Sequence, residues 1–263
     1  MKRAFSSLCC VKYSAQQIVE LAKGSNLAVE LRVDDAALDR FGEDPLIFQR
    51  EGVKVTDIAA SIFILHEQFP DVTYRYVDLA EKMGVGAVRI FAGESPKVFQ
   101  KNLLSDVDGI IKGIGKLCAY AQEKGIEIWL ETHSEISTGK LCRQILDAVA
   151  MPNLKIIWDV LHSIEYKETL DETLDYMAKD IVHIHYKDGV PNEDPEKIHY
   201  KLTDIAEGVM PFDQVFEKLK AIGFEGYVSL EWESPWRPEI RDLYPDPAVL
   251  LEKYNKFLDQ YNI

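Results

Sequence analysis

Residues Ile126–His133 read IEIWLETH. The apolar run of Ile126, Ile128, Trp129 and Leu130 ends in a carboxylate, Glu131, with Thr132 and His133 just beyond it. Such a run reads as a buried parallel strand. A charge at the carboxyl end of a buried strand is costly unless something pairs with it. Three later stretches repeat the pattern. Leu154–Asp159 (LKIIWD) ends in Asp159, Ile181–His185 (IVHIH) in His185, and Tyr227–Glu231 (YVSLE) in Glu231. Four strand-like runs therefore each place a metal-capable side chain at the same end.

Four further strands are expected upstream, at Lys2–Leu8, Leu27–Val33, Val53–Ala59 and Ala87–Phe91. Helical segments alternate with them. Ser14 reads as the N-cap of Ala15–Lys23 and Gly24 as its stop. Pro70–Gly84, Asn102–Lys124, Thr138–Val149, Thr169–Lys179, Pro211–Ile222 and Ala248–Tyr261 follow. Asp35–Gly52 is polar and broken by Gly42 and Pro45, so irregular or short helical structure is expected there. Gly189–Glu207 and Ser234–Pro247 read as further loops around a site. Short apolar strands alternating with helices make an α/β protein with a parallel sheet. Eight strands in 263 residues predict a (β/α)8 TIM barrel, one domain over residues 1–263. An open doubly wound sheet is the main alternative. No GxGxxG or GxxxxGK[ST] phosphate loop supports a dinucleotide or P-loop protein.

The chain has a formal net charge of −14. That argues against a nucleic-acid surface, which needs a basic footprint, and against an anionic membrane surface. No apolar run reaches the length of a membrane span, and the apolar stretch after Lys2 is too short and polar for a signal-peptide core. Cys9, Cys10, Cys118 and Cys142 show no CxxC pairing and are expected to be reduced, in a cytoplasmic protein.

In a barrel, the carboxyl ends of the strands converge on one mouth. Glu131, Asp159, His185 and Glu231 would meet there, and three carboxylates with one imidazole suit one divalent ion, Mn²⁺, Mg²⁺, Co²⁺ or Zn²⁺. Taken singly, each has a plainer reading: a solvated strand-end glutamate, a helix-capping Asp159, a satisfied core histidine. Their matching positions favour the joint one. His133, two residues past Glu131, and His162, three past Asp159, are placed to touch a polyol. Arg89, which interrupts the fourth strand, Glu30 on one side of the second, and Lys187 are further candidates for substrate contact; Asp188 adjoins Lys187. His183 alternates with His185, and His185, nearer the mouth, is expected to point inward with His183 directed away.

The ordered set LETH (Leu130–His133), WDVLH (Trp158–His162), HIHYKD (His183–Asp188), EGVMPF (Glu207–Phe212) and SLEW (Ser229–Trp232), with ELAKGSNLAVELR at Glu20–Arg32, resembles the xylose isomerase-like barrels. These include tagatose/psicose 3-epimerases, inosose-processing enzymes and hydroxypyruvate isomerase. The resemblance spans nearly the whole chain. It implies one metal on Glu131, Asp159, His185 and Glu231, with Glu131 and Glu231 as the catalytic acid/base pair and His162 on substrate. It also implies proton transfer next to a carbonyl through an enediolate, a sugar or polyol as substrate, and self-association as a dimer or tetramer. The 3-epimerases carry an arginine shortly after HxH; here Tyr186–Lys187–Asp188–Gly189 has none, and the KD pair is closer to the inosose and dehydratase-like branches. A metal-dependent dehydratase of a cyclic keto-polyol is the first alternative. An endonuclease IV-like phosphodiesterase, which needs more His and Asp ligands and a basic groove, is a weaker one, and a barrel that only binds sugar a third.

Overall fold

In the computed structural model, which describes residues 1–65, 71–92, 106–133, 136–194 and 200–263, eight parallel strands close into a barrel. They are β1 (Lys2–Ser6), β2 (Ala28–Val33), β3 (Val55–Phe63), β4 (Ala87–Phe91), β5 (Glu127–Glu131), β6 (Leu154–Asp159), β7 (Ile181–Tyr186) and, after a hairpin of β8 (Gly189–Pro191) and β9 (Tyr200–Leu202), β10 (Tyr227–Leu230). The order around the barrel is β1-β10-β7-β6-β5-β4-β3-β2. Closure comes from β1 on β10, with Lys2 opposite Tyr227 and Phe5 opposite Leu230. The predicted barrel is therefore the observed one.

Side chains alternate between the two faces of each strand. On β5, Ile128 and Leu130 join the large core between barrel and helices. Trp129 turns inward onto Ala87 and Ile157, a small apolar plug inside the barrel. Glu131, two residues on, shares that inward face.

The surrounding helices owe their positions to one apolar stripe each. In α5 (Val107–Gln122), Ile110, Ile114, Leu117, Cys118 and Ala121 are buried at helical spacing. Truncating the fully buried Leu117 to alanine removes contacts worth about 2–5 kcal/mol. Helix α1 (Ala15–Ser25) starts in a capping box between Ser14 and Gln17. It runs through Gly24 and stops at Asn26, which takes the left-handed conformation (φ 55°) expected of Gly24. No helix among the described residues is long and apolar enough to cross a membrane. Cys9, Cys10, Cys118 and Cys142 are free thiols.

Asp35–Gly52 takes the short helical alternative: α2 (Asp35–Glu43) is capped by Asp34, whose Oδ1 accepts from the Ala37 amide at 2.9 Å, and α3 (Ile47–Arg50) follows. Several boundaries differ from expectation. Strand β3 begins two residues late and runs on to Phe63, because Ala59, Ser61 and Phe63 keep the period of two started by Asp57. Helix α4 (Asp71–Met83) ends at Gly84, as expected, in positive φ. Pro70, most of the Gly/Pro loop expected at Ala92–Pro96, Asn102–Ser105 of the expected helix and residues 195–199 of the expected Gly189–Glu207 loop lie outside the described residues. Short α7 (Val160–Glu165) was not anticipated. Helices α6 (Gly139–Val149), α8 (Leu170–Met177), α9 (Phe212–Ala221) and α10 (Pro247–Asp259) match their expected segments within a few residues.

Candidate metal centre

Glu131 ends β5, Asp159 ends β6, His185 sits on β7, and Glu231 follows β10. One ligand-type atom from each lies within 4.8 Å of the others, and all four residues are buried. His185 Nδ1 is 3.2 Å from Glu131 Oε1, 3.3 Å from Glu231 Oε2 and 3.7 Å from Asp159 Oδ2. Asp159 divides its work. Its Oδ1 caps α7, accepting from the Leu161 and His162 amides at 3.1 and 3.4 Å, so the capping role and the cluster role coexist on one carboxylate. Its Oδ2 and Glu231 Oε2 are buried and turned toward the centre of the cluster, with the Lys187 ammonium beside both. Buried carboxylate oxygens gathered around one imidazole nitrogen form the donor set a hard or borderline divalent cation takes. The residues fit such an ion.

Cations of the chain hold this charge. Lys187 Nζ lies 2.8 Å from Asp159 Oδ2 and 2.5 Å from Glu231 Oε2, and also contacts Glu233. Arg89 pairs with Glu131, stands 4.0 Å from Glu231, and stacks over Phe91 with 4.1 Å to the ring centroid. Arg237 Nε holds Glu233 Oε2 at 2.9 Å. Burial alone would raise the carboxylate pKa values. The charges of Lys187 and His162 beside Asp159, of Arg89 and His185 beside Glu131, and of His185 and Lys187 beside Glu231 outweigh it and hold all three below the usual range. Burial would likewise discharge Lys187, yet Asp159, Glu231 and Glu233 hold its pKa well above the ordinary value.

His185 and His183 both face the barrel interior, which corrects the expectation that His183 points away. Residues i and i+2 of a strand share a face, and both imidazoles are fully buried. Glu30 Oε2 meets both, at 2.8 Å from His185 Nε2 and 3.1 Å from His183 Nε2. Glu30 therefore sits beneath the centre, fully buried, and not at the mouth where a substrate contact was expected. The surrounding Glu231, Glu30 and Glu131 outweigh burial and hold the His185 pKa well above its ordinary value; Glu30 fixes the proton on Nε2, so Nδ1, facing the carboxylates, is the nitrogen that would exchange its proton for a metal ion. Glu30, His183 and His185 make a second grouping of ligand-type atoms. Asp57, also inside the barrel, accepts from Thr56 Oγ1 at 2.7 Å, and its Oδ2 has no partner. Burial and the charge of Glu30 push its carboxyl up to about 6.

The two outer histidines lie together. The His133 and His162 rings are edge to face at 4.6 Å, and Phe91 stands 4.6 Å from His133. Burial, with the charge of His162, pulls His133 down to about 3, so it is neutral across the physiological range. His162 Nδ1 is 3.0 Å from Glu165 Oε2, and its Nε2 has no hydrogen-bond partner. Burial would lower the His162 pKa, but Asp159 and Glu165 raise it. Asp188 is occupied: it accepts from the Gly189, Gly208 and Met210 amides at 2.9, 3.0 and 3.2 Å, clasping the loop after β7.

Glu165, Arg237, Asp57 and Arg32 escaped the sequence reading of the site. Glu165 is signalled by its i+3 spacing from His162 on α7. Asp57 and Arg32, like Arg89, interrupt apolar strands on the inward period, and the rule that exposed Arg89 applies to them equally.

A family model for the xylose isomerase-like TIM barrel matches residues 60–254. An uncharacterized protein of Methanocaldococcus jannaschii, MJ1311, is 26% identical over 172 residues, 63% of this chain; the match spans 55% of that relative's length. The IOLI protein, solved with a binding zinc atom, superposes with a TM-score of 0.76 at 18% identity, covering 97% of this chain and 96% of its own. A D-allulose 3-epimerase from Methylomonas sp., solved with D-allulose, gives 0.76 at 15% identity over 99% of this chain and 96% of its own. At such identities the likeness is one of fold. The matched family model, spanning most of the barrel, carries the assignment: this chain belongs to the xylose isomerase-like TIM barrel family.

Proposed function

We propose that the protein is a divalent-metal-dependent isomerase or epimerase of a small sugar or polyol, with Glu131 and Glu231 as its acid/base pair. One observation carries the reading: four buried side chains from four consecutive barrel strands bring ligand-type atoms within 4.8 Å of one another, and two of the carboxylate oxygens have the Lys187 ammonium as their close charged neighbour. Glu131, Asp159, His185 and Glu231 would hold the ion. When bound, it supplies Lewis-acid polarisation of a carbonyl and its neighbouring hydroxyl, which acidifies the carbon between them.

The two glutamates are not equivalent. Glu131 is held by Arg89, whose guanidinium keeps its protons and therefore keeps this carboxylate ionised, as a base must be. Glu231, ionised like Glu131, lies 2.5 Å from Lys187 Nζ, the proton-bearing group on its side of the centre, and is placed to pass a proton from that ammonium back to the substrate. Neutral His133 and His162, with its open Nε2, line the mouth with groups that accept or donate to hydroxyls. Asp159 stays ionised and structural, fixed by the α7 amides. Glu30 keeps His185 in the required orientation. The cytoplasmic location, argued from the four thiols, the divalent ion (Mn²⁺, Mg²⁺, Co²⁺ or Zn²⁺), argued from the donor set, and self-association, on the family resemblance, belong to the same proposal.

Solvent deuterium uptake followed by NMR tests it, with Mn²⁺ supplied and a panel of ketoses, aldoses and inososes. Label at a carbon next to a carbonyl without loss of water, abolished by EDTA and in Glu131→Gln or Glu231→Gln, is expected. Water loss with a new ultraviolet chromophore would move the chain to the dehydratase alternative. Exchange unaffected by EDTA and by both substitutions would overturn the mechanism.

A further inference from the structure

The carboxylates of the mouth are concentrated on the β5–β10 side. The facing β2–β4 side carries Arg32, Ser61, Arg89 and Phe91. Arg32 follows Glu30 by two residues on β2, so it shares the inward face one level higher. Three of the mouth's cations are matched to carboxylates: Lys187 to Asp159, Glu231 and Glu233, Arg89 to Glu131, and Arg237 to Glu233. Arg32 differs. Its guanidinium donates to the Ala59 carbonyl at 3.2 Å and to Ser61 Oγ, both neutral. It has no carboxylate within ion-pair distance among the described residues, and the Trp236 ring lies 5.8 Å from it. The charges of Glu231 and Asp34 reach it only at longer range. Burial, reinforced by the nearby Arg89 charge, lowers its pKa to about 10. Arg89 adds a buried Nε with no partner. A half-buried guanidinium on neutral acceptors beside a second guanidinium is a costly arrangement that an added anion would relieve.

We infer that Arg32 is a substrate-anchoring residue, and that the substrate carries an anionic group, a carboxylate or a phosphate, seated on Arg32 while its hydroxy-carbonyl end lies at the Glu131–Asp159–His185–Glu231 centre. The inference rests on the reading of that centre as the reacting site, and it names the substrate class: sugar acids or sugar phosphates. Trp236, more than half exposed, lies over the anion's seat as an apolar cover. The guanidinium's planar fork suits either anion, whereas a lysine would present a point charge without that geometry.

Three ligands share a ketohexose skeleton and differ at the last carbon: D-fructose, D-fructuronate and D-fructose 6-phosphate. Their affinities for the Mn²⁺-supplemented protein are measured by isothermal titration in wild type, Arg32→Gln and Arg32→Lys, with thermal melts to verify folding. One of the anions is expected to bind roughly 10- to 100-fold tighter than fructose, the range for hydrogen bonds to a charged group. That advantage should vanish in Arg32→Gln and survive in part in Arg32→Lys. Fructose and Mn²⁺ affinities should stay as in wild type. Which anion gains identifies carboxylate or phosphate. Equal wild-type affinities for all three, absence of binding by both anions, or an anion preference that persists in folded Arg32→Gln would overturn the inference. Failure of the isomerase reading is a separate result, seen as absent deuterium uptake whatever residue 32 is.

Discussion

Replacing Lys187 by methionine separates the charge of the centre from its packing. The lysine is 3% exposed, and its ammonium lies 2.8 Å from Asp159 and 2.5 Å from Glu231, in contact with Glu233 as well. Methionine keeps most of the stem's volume and removes the charge. Three buried carboxylates then lose their nearest cation. Breaking a buried ion pair from one side costs about 3–5 kcal/mol. For a chain of this size each kcal/mol lowers the melting temperature by roughly 2–4 °C, so metal-free Lys187→Met should melt on the order of 10 °C below wild type. A divalent ion supplies the lost positive charge, and its binding stabilises by about 2.7 kcal/mol at a hundredfold excess over Kd. With the competing ammonium gone, Mn²⁺ should raise the melting temperature of the variant by more than it raises that of wild type. Circular dichroism melts in EDTA and in Mn²⁺ measure both differences. Equal melting temperatures in EDTA, or equal increments with Mn²⁺, would show that the ammonium neither stabilises the cluster nor competes for it.

Glu30→Gln should weaken Mn²⁺ binding about 10- to 100-fold, measured by titration calorimetry, because the charge that orients His185 and raises its basicity is lost. Glu131→Gln should abolish deuterium uptake while the protein remains folded, read by NMR and a thermal melt. Asp57 gives a pH signature. Its folded pKa, about 6, lies above the ordinary carboxyl value. The native state therefore binds the extra proton between roughly pH 4 and 6, and stability contributed there is lost as the pH rises through 6. The loss is about 3 kcal/mol, because the folded carboxylate holds its proton roughly a hundredfold more tightly than the unfolded one. Asp57→Asn should remove that slope and melt higher than wild type at pH 8; an unchanged slope in urea unfolding at pH 4.5 and pH 8 would exclude Asp57 as its source.

The barrel was legible because its strands are short apolar runs with abrupt polar ends; β4 and β6 fall at the expected residues. The convergence of Glu131, Asp159, His185 and Glu231 followed from strand order alone, since parallel closure carries equivalent ends to one mouth. What failed was the use of period two inside a strand. Counted consistently, it would have put His183 inside with His185, moved Glu30 one layer below the mouth, and brought Arg32 to it. Over Asp35–Arg50 the sequence left irregular and short helical structure open, because Gly42, which suggests a break, is tolerated within α2. Loop clasps such as Asp188 with the Gly189, Gly208 and Met210 amides were not legible, since nothing local tells a carboxylate that binds backbone from one that binds ligand.

Glu30 finds its partners His183 and His185 more than 150 residues away, across the line that divides the barrel into a β1–β4 half and a β5–β10 half. The early half holds Glu30, Asp57 and Arg89; the late half holds the histidines and Glu131. The early half alone would leave the Glu30 carboxylate and the Arg89 guanidinium without the partners they have here, stranded in an apolar shell. Completion of the barrel thus settles all these charges together. All four residues of the candidate centre come from the late half, whereas the groups that hold two of them, Glu30 on His185 and Arg89 on Glu131, come from the early one, so the centre has its full support only when the two halves are paired.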